Sequence, residues 1–193
     1  MEGEVNMKYF KKLVGERIYL SPRSTEDAEI FTEWMNDFET TDYTGRSGCI
    51  MSLEGEKKFL EERNNEEATF VIVTLEKDKL IGAIGLEDIN HINRTATLGI
   101  FIGDKEHRSN GYGTEAIRLI LDYGFNYMNL NNIRLDVMEF NERAIKCYKK
   151  CGFKECGRRR KSYFLNGKYY DVIRMDILAE EFKESYIKNK NIK

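Results

Sequence analysis

The stretch best suited to chemistry is Arg108-Ser109-Asn110-Gly111-Tyr112-Gly113-Thr114-Glu115-Ala116. It lies between a β-prone run ending near Ile102 and an amphipathic helical run. Two glycines allow a tight turn that exposes backbone N–H groups. The helix start adds partial positive charge and Arg108 a full one, so the segment reads as a cradle for a phosphate-bearing ligand. Gly111 to Ala116 also fits the dinucleotide pattern G-x-G-x-x-G/A, and Asp136 follows Ala116 by 20 residues. In that fold, however, the first glycine follows its strand almost at once, whereas here the charged segment from Gly103 to Asn110 intervenes. The P-loop pattern G-x-x-x-x-G-K-[ST] is absent, which argues against nucleoside triphosphate chemistry.

The four cysteines, Cys49, Cys147, Cys151 and Cys156, show no C-x-x-C pair, and the only histidines are His91 and His107. No metal site is expected from this spacing. Cys147 and Cys151 are candidate nucleophiles, but no neighbouring histidine would activate a thiol, and both positions suit helix packing. Between Glu26 and Asp42 stand seven acids, Glu26, Asp27, Glu29, Glu33, Asp37, Glu39 and Asp42, with no Lys or Arg among them.

The elements that must position these groups follow from periodicity. Arg17 to Leu20 reads as a first strand closed by Pro22. A helix capped by Ser24 or Thr25 should carry Ala28, Phe31, Trp34 or Met35, and Phe38 on one face, and a second should follow Ser52 with Phe59 and Leu60. Thr69 to Leu75 and Leu80 to Leu86 form a hairpin, and Thr95 to Ile102 adds a third antiparallel strand. Ala116, Ile117, Ile120, Leu121, Gly124, Phe125 and Met128 mark a helix of about four turns. Ile133 to Val137 is a short strand that a crossover could make parallel, and Asn141 caps a helix ended by Gly152. Strands at Lys154 to Leu165 and Lys168 to Ile177 meet at Asn166-Gly167, a tight hairpin turn. The order βααβββαβαββ predicts an α/β single domain with a mixed sheet, antiparallel in its N-terminal half and closed by a C-terminal hairpin.

Composition narrows the function. At 193 residues the chain suits one domain, and 41% hydrophobic with 33% charged residues permits a sizeable core. A formal net charge of −2 provides no basic field for nucleic acid. No uncharged run, the apolar Leu98 to Gly103 included, approaches the roughly 18 residues of a membrane-spanning helix. Met1 to Lys8 has no secretory pattern, so a cytoplasmic protein is expected.

From about Leu13 to Leu178 the sequence resembles the GCN5-related N-acetyltransferases (GNAT), in the branch holding ribosomal-protein N-terminal and spermidine N-acetyltransferases. Arg108 to Gly113 matches the family's R/Q-x-x-G-x-G/A pyrophosphate loop. Asn141-Glu142-Arg143-Ala144 through Tyr148-x-x-Cys151-Gly152-Phe153 matches its N-x-x-A/S…Y-x-x-x-G-F segment, and Phe164 to Val172 resembles the terminal hairpin of the branch. The resemblance implies a 13–178 acetyltransferase domain, preceded by a 1–12 extension and followed by a charged 179–193 tail. It implies acetyl-CoA as cosubstrate, its pantetheine running between splayed parallel strands, Leu98 to Ile102 and Arg134 to Val137.

Binding groups implied by the resemblance are Ile100, Phe101 and Ile102 on the strand edge, Arg108, Ser109, Asn110, Gly111, Tyr112, Gly113 and Thr114 at the diphosphate, and Asn141 with Arg143. Tyr148 falls at the family's proton-donor position. Many relatives carry a Glu where this chain has Thr97, so Glu87 and Asp88 become the substitute bases. Glu33 and Asp37 belong to the acceptor wall, where the acidic run would steer a cationic amine. The expected reaction is acetyl transfer to a primary amine by direct attack rather than through a Cys147 or Cys151 thiolate, with a peptide N-terminus, a polyamine or an aminoglycoside as acceptor. A non-catalytic acyl-CoA sensor is the contrasting class, and homodimerisation is left open.

Overall fold

The computed structural model describes residues 8–63 and 68–189; Met1 to Met7 and the last four residues of the expected tail lie outside them. Eight strands form one sheet: β1 (Leu13–Val14), β2 (Ile18–Pro22), β3 (Thr69–Thr74), β4 (Leu80–Asn90), β5 (Thr95–Ile102), β6 (Asn132–Met138), β7 (Lys154–Leu165) and β8 (Lys168–Leu178). Their spatial order is β1-β2-β3-β4-β5-β6-β8-β7. All neighbours are antiparallel except β5 and β6. The helices are α1 (Ala28–Met35), α2 (Phe38–Thr41), α3 (Leu53–Arg63), α4 (Tyr112–Asn126) and α5 (Glu142–Lys150).

The two-residue period of a strand sorts its side chains onto opposite faces, and β2 and β3 show the result. Ile18, Leu20, Phe70 and Ile72 join one core with Ile117, Ile120 and Leu121 of α4. Their alternates Tyr19, Val71 and Val73 join a second core with Phe31, Trp34 and Met35 of α1 and Leu60 of α3. The sheet is thus covered on both faces, which explains why β3 is buried along its whole length. At the β7–β8 turn Asn166 and Gly167 both have positive φ, 49° and 76°, as a two-residue hairpin of this hand requires.

The expected long first helix is broken. Asn36 ends α1, and Asp37 is an extended N-cap whose carboxylate accepts the Glu39 N–H at 3.2 Å. Phe38 therefore leaves the helical stripe and is 68% exposed. An Asp-capped restart outcompeted the continuing apolar period. The short β1 and the extension of β4 to Asn90 were also beyond the periodicity reading.

The feature that makes the site is between β5 and β6. They pair only at Thr95 with Asn132, Ala96 with Ile133 and Thr97 with Arg134. Beyond that point β5 continues along β4 while β6 continues along β8, so the β5 edge from Leu98 to Ile102 is open. No helix among the described residues is long and apolar enough to cross a membrane.

Candidate active site

Two cavities flank the opening between β5 and β6. The first, about 370 Å³, is walled by the β5 end, the loop before α4 and the facing side of α5. The second, about 210 Å³, lies over β4 and β5 under α1 and α3. Tyr43, Thr44, Ile100, Phe101 and Tyr148 line both. Tyr148 is half-buried and its ring meets Phe153 edge-on at 5.9 Å. Burial, reinforced by the neighbouring Cys147 and Cys151, pushes its phenol well above the usual tyrosine range, so it stays protonated at neutral pH.

The loop before α4 has the backbone of an anion cradle. Ser109 and Gly111 have φ of 62° and 86°, and Gly111 is the left-handed N-cap of α4. Alternating hands in this way turn successive N–H groups toward one side, where the helix start adds its partial charge. Arg108, Ser109, Gly111, Gly113 and Thr114 line the first cavity. Asn110 and Tyr112 do not: Asn110 Nδ2 donates to the Glu106 carbonyl at 2.9 Å, and the Tyr112 ring lies under the Arg17 guanidinium at 4.6 Å. Arg108 is spent largely on architecture. Its Nε donates to the Ile102 carbonyl at 3.0 Å, and its Nη2 donates to Gly103 at 3.0 Å and Thr40 at 2.8 Å.

Glu115, which the sequence reading passed over, anchors this loop from behind. Its Oε1 accepts the N–H groups of Glu16 at 2.7 Å and Arg17 at 2.8 Å. An acid in the first turn of a helix, facing the Glu16 and Arg17 N–H groups across the chain, leaves no local signal of that partnership.

On α5, Asn141 accepts the Ala144 N–H at 3.2 Å as N-cap and lines the first cavity with Arg143. Cys147 lines it too, with its sulfur 3.2 Å from Thr114 Oγ1. The neighbouring Cys151, together with the Thr114 hydroxyl and the cations Lys150 and Arg118, pulls the Cys147 thiol below the usual thiol range, against burial. The single Cys151 S–H has a competing acceptor in the Thr114 carbonyl at 3.7 Å.

The expected acids separate. Glu87 lines the second cavity, but Asp88 sits on a β-bulge with φ of 51° and lines neither. Asp88 instead accepts a hydrogen bond from Thr97 at 3.2 Å, and Thr97 accepts one from Arg134 at 3.2 Å. Glu33 is exposed on α1 outside both cavities. Asp37 caps α2 and pairs with Lys105 at 3.3 Å, also outside both. Sequence reading missed Glu56 of α3, Arg23 and Arg46, all of which line the second cavity. Among the described residues no cluster of three or more His, Cys, Asp or Glu could hold a metal ion.

An open strand edge continuing into a positively framed loop suits a long, extended ligand with a diphosphate. Comparison with known proteins agrees: residues 17–154 match the family model for the acetyltransferase (GNAT) domain. The chain belongs to the GNAT acetyltransferase family. It is 40% identical over 119 residues to the spermidine N(1)-acetyltransferase of Vibrio cholerae, covering 62% of this chain and 68% of that one. It is 34% identical over 169 residues to the probable N-acetyltransferase YjcK of Bacillus subtilis, covering 82% and 92%. The putative ribosomal N-acetyltransferase YdaF of the same organism shares 30% over 104 residues, covering 54% and 56%. Among solved structures, the V. cholerae spermidine N-acetyltransferase in complex with CoA and spermine has a TM-score of 0.79 at 30% identity, covering 86% of this chain and 98% of that one. This GNAT chain is thus an acetyl-CoA-dependent N-acetyltransferase. When bound, acetyl-CoA supplies the activated acetyl group, and the first cavity with the open β5 edge fits its extended arm and diphosphate.

Proposed function

We propose that the acceptor amine enters the second cavity, meets the acetyl group at Tyr148, and is cationic at its reacting end in the manner of a peptide N-terminus. The observation that carries this reading is the place of Tyr148 on the wall common to both cavities. A phenol kept protonated by burial is suited to give its proton to the departing thiolate. Glu87, on β4 in the acceptor cavity, is suited to take a proton from the incoming ammonium, directly or through water. The tyrosine recovers its proton from the acetylated nitrogen, so one proton is released per turnover. Ser109, Gly111, Gly113 and Thr114, framed by Arg108, hold the coenzyme diphosphate, and Ile100 to Ile102 with Asn141 and Arg143 hold its arm. A cytoplasmic setting agrees with four unpaired cysteines.

A polyamine is the second reading, supported by the relatives named spermidine N-acetyltransferases. Glu33 and Asp37 contribute at most long-range steering to either acceptor, because neither reaches a cavity. The test is release of free CoA with spermidine, basic peptides and neutral peptides at low and raised salt. Faster turnover of a peptide than of spermidine is expected, with apparent affinity falling as salt screens the attraction. Turnover of spermidine alone would replace the peptide reading with the polyamine one.

A further inference from the structure

A third cavity, of about 290 Å³, adjoins the cradle. It shares Gly111, Thr114 and Lys150 with the first cavity, so it begins where the cradle ends. Among the described residues its walls carry four cations, Arg17, Arg118, Lys150 and Lys188, against two acids, Glu16 and Glu115. Both acids are already engaged by cations of the same walls. Glu115 Oε2 meets Arg17 Nε at 3.2 Å, and Glu16 meets Lys188 Nζ at 3.5 Å. Arg118 and Lys150 make no ion pair among the described residues. Two acids outside the cavity are committed elsewhere: Asp122 accepts the Tyr186 and Ile187 N–H groups, and Glu184 accepts the Tyr186 hydroxyl.

Arg118 is half-buried on α4, its guanidinium 5.1 Å from the Tyr186 ring centroid, and Lys150 is exposed in the last turn of α5. Two unpaired cations lining one concavity repel each other, and an anion lying between them turns that repulsion into attraction. Coenzyme A carries such an anion apart from its diphosphate. The ribose bears a phosphate monoester on its 3′ oxygen, with a charge of about −1.5 to −2 at neutral pH. Because the same ribose is esterified to the diphosphate, a site for the monoester must adjoin the cradle. The third cavity meets that condition at Gly111 and Thr114.

We propose that Arg118 and Lys150 bind the ribose 3′-phosphate of the coenzyme in the third cavity. Arg118 offers its fork of N–H donors and Lys150 a compact charge. Arg17 and Lys188 frame the site, but each already has a carboxylate partner. The inference rests on the reading that Ser109, Gly111, Gly113 and Thr114 hold the diphosphate. It assigns this chain a means of distinguishing coenzyme A from the same molecule lacking only that phosphate. It also gives the C-terminal segment a part in the site, through Tyr186 beside Arg118.

The test is calorimetric binding of CoA and 3′-dephospho-CoA to the wild type, Arg118→Met, Lys150→Met, the double variant and Arg118→Lys. In the wild type CoA should bind about tenfold or more tightly than 3′-dephospho-CoA. Each Met substitution should shrink that ratio, and the double variant should bring it to about one. Affinity for 3′-dephospho-CoA should stay within about twofold of wild type throughout, which also shows that the variants are folded. Arg118→Lys should keep part of the preference. Equal affinity for the two ligands in the wild type would overturn the 3′-phosphate site while leaving the diphosphate reading intact. A preference that survives the double variant would overturn the roles of Arg118 and Lys150. Equal weakening of both ligands by the Met substitutions would overturn them too, and failure of either ligand to bind the wild type would overturn the diphosphate reading as well.

Discussion

Tyr148 shows how one side chain is placed both to pack and to serve the proposed chemistry. Its ring packs against Phe153 while its residue borders both cavities, so removing only the oxygen separates the two roles. Tyr148→Phe is expected to lower kcat about 10²-fold while KM for acetyl-CoA stays near the wild-type value. Because burial raises the phenol's pKa, its protonated form is lost only at strongly alkaline pH, and Tyr148 itself should give the wild-type kcat no falling limb between pH 7 and 9. Single-turnover and steady-state measurements together check this, and an unchanged rate of chemistry would leave Tyr148 as a packing residue. At the same scale, the base position illustrates the limit of a motif. Thr97 marked the missing carboxylate in the sequence, but which acid faced the cavity depended on the bulge that turns Asp88 out and leaves Glu87 in.

At the level of elements, the start of α4 is the decisive junction, because the φ of 86° at Gly111 sets the direction of the cradle's N–H groups. A side chain there costs roughly 1–2 kcal/mol in a left-handed conformation, and the new Cβ would also lie 3.1 Å from Arg17 Nη2. Gly111→Ala should therefore raise the dissociation constant of CoA about 5- to 10-fold, read by calorimetry. Affinity equal to the wild type would show that the loop binds without this geometry. This junction was legible in advance since glycine spacing, a preceding arginine and an amphipathic run all act locally. The break between α1 and α2 was not, because the apolar period ran on through Phe38 and only the capping of Glu39 by Asp37 ended it.

On the scale of the molecule, all eight strands lie between Leu13 and Leu178, yet the chain beyond them is part of the packed structure. Ile187 is 7% exposed within the main core, and buried Asp122 of α4 accepts the N–H groups of Tyr186 at 2.6 Å and Ile187 at 3.0 Å. Lys188 closes the segment onto β1 through the Val14 carbonyl at 2.8 Å. Ile187→Ala should cost about 2–4 kcal/mol of unfolding free energy, the range for emptying a buried aliphatic site. Urea denaturation checks this, and a loss below about 0.5 kcal/mol would mean that the segment only rests on the surface. A run rich in Lys and Glu around Ile187 reads as a solvated tail because its partner, Asp122, is more than sixty residues away.

What the sequence by itself determined is whatever acts over a few residues: the period of β3 to β5, the caps of α5, the Asn166-Gly167 turn and the glycine cradle. Backbone sterics and helix dipoles need no distant partner, so those features and the family they belong to could be read directly. Tertiary structure alone decided which side chains share a cavity. The parting of β5 from β6 after three residue pairs is a contest between neighbours on either side, β4 and β8, and no local pattern records its outcome. It brought Tyr148 to both cavities and Glu87 to one, and it left Glu33 and Asp37 outside. Arg46, Glu56 and Asp136, scattered across ninety residues of chain, came to line one cavity only when the sheet and helices α1 and α3 closed over it.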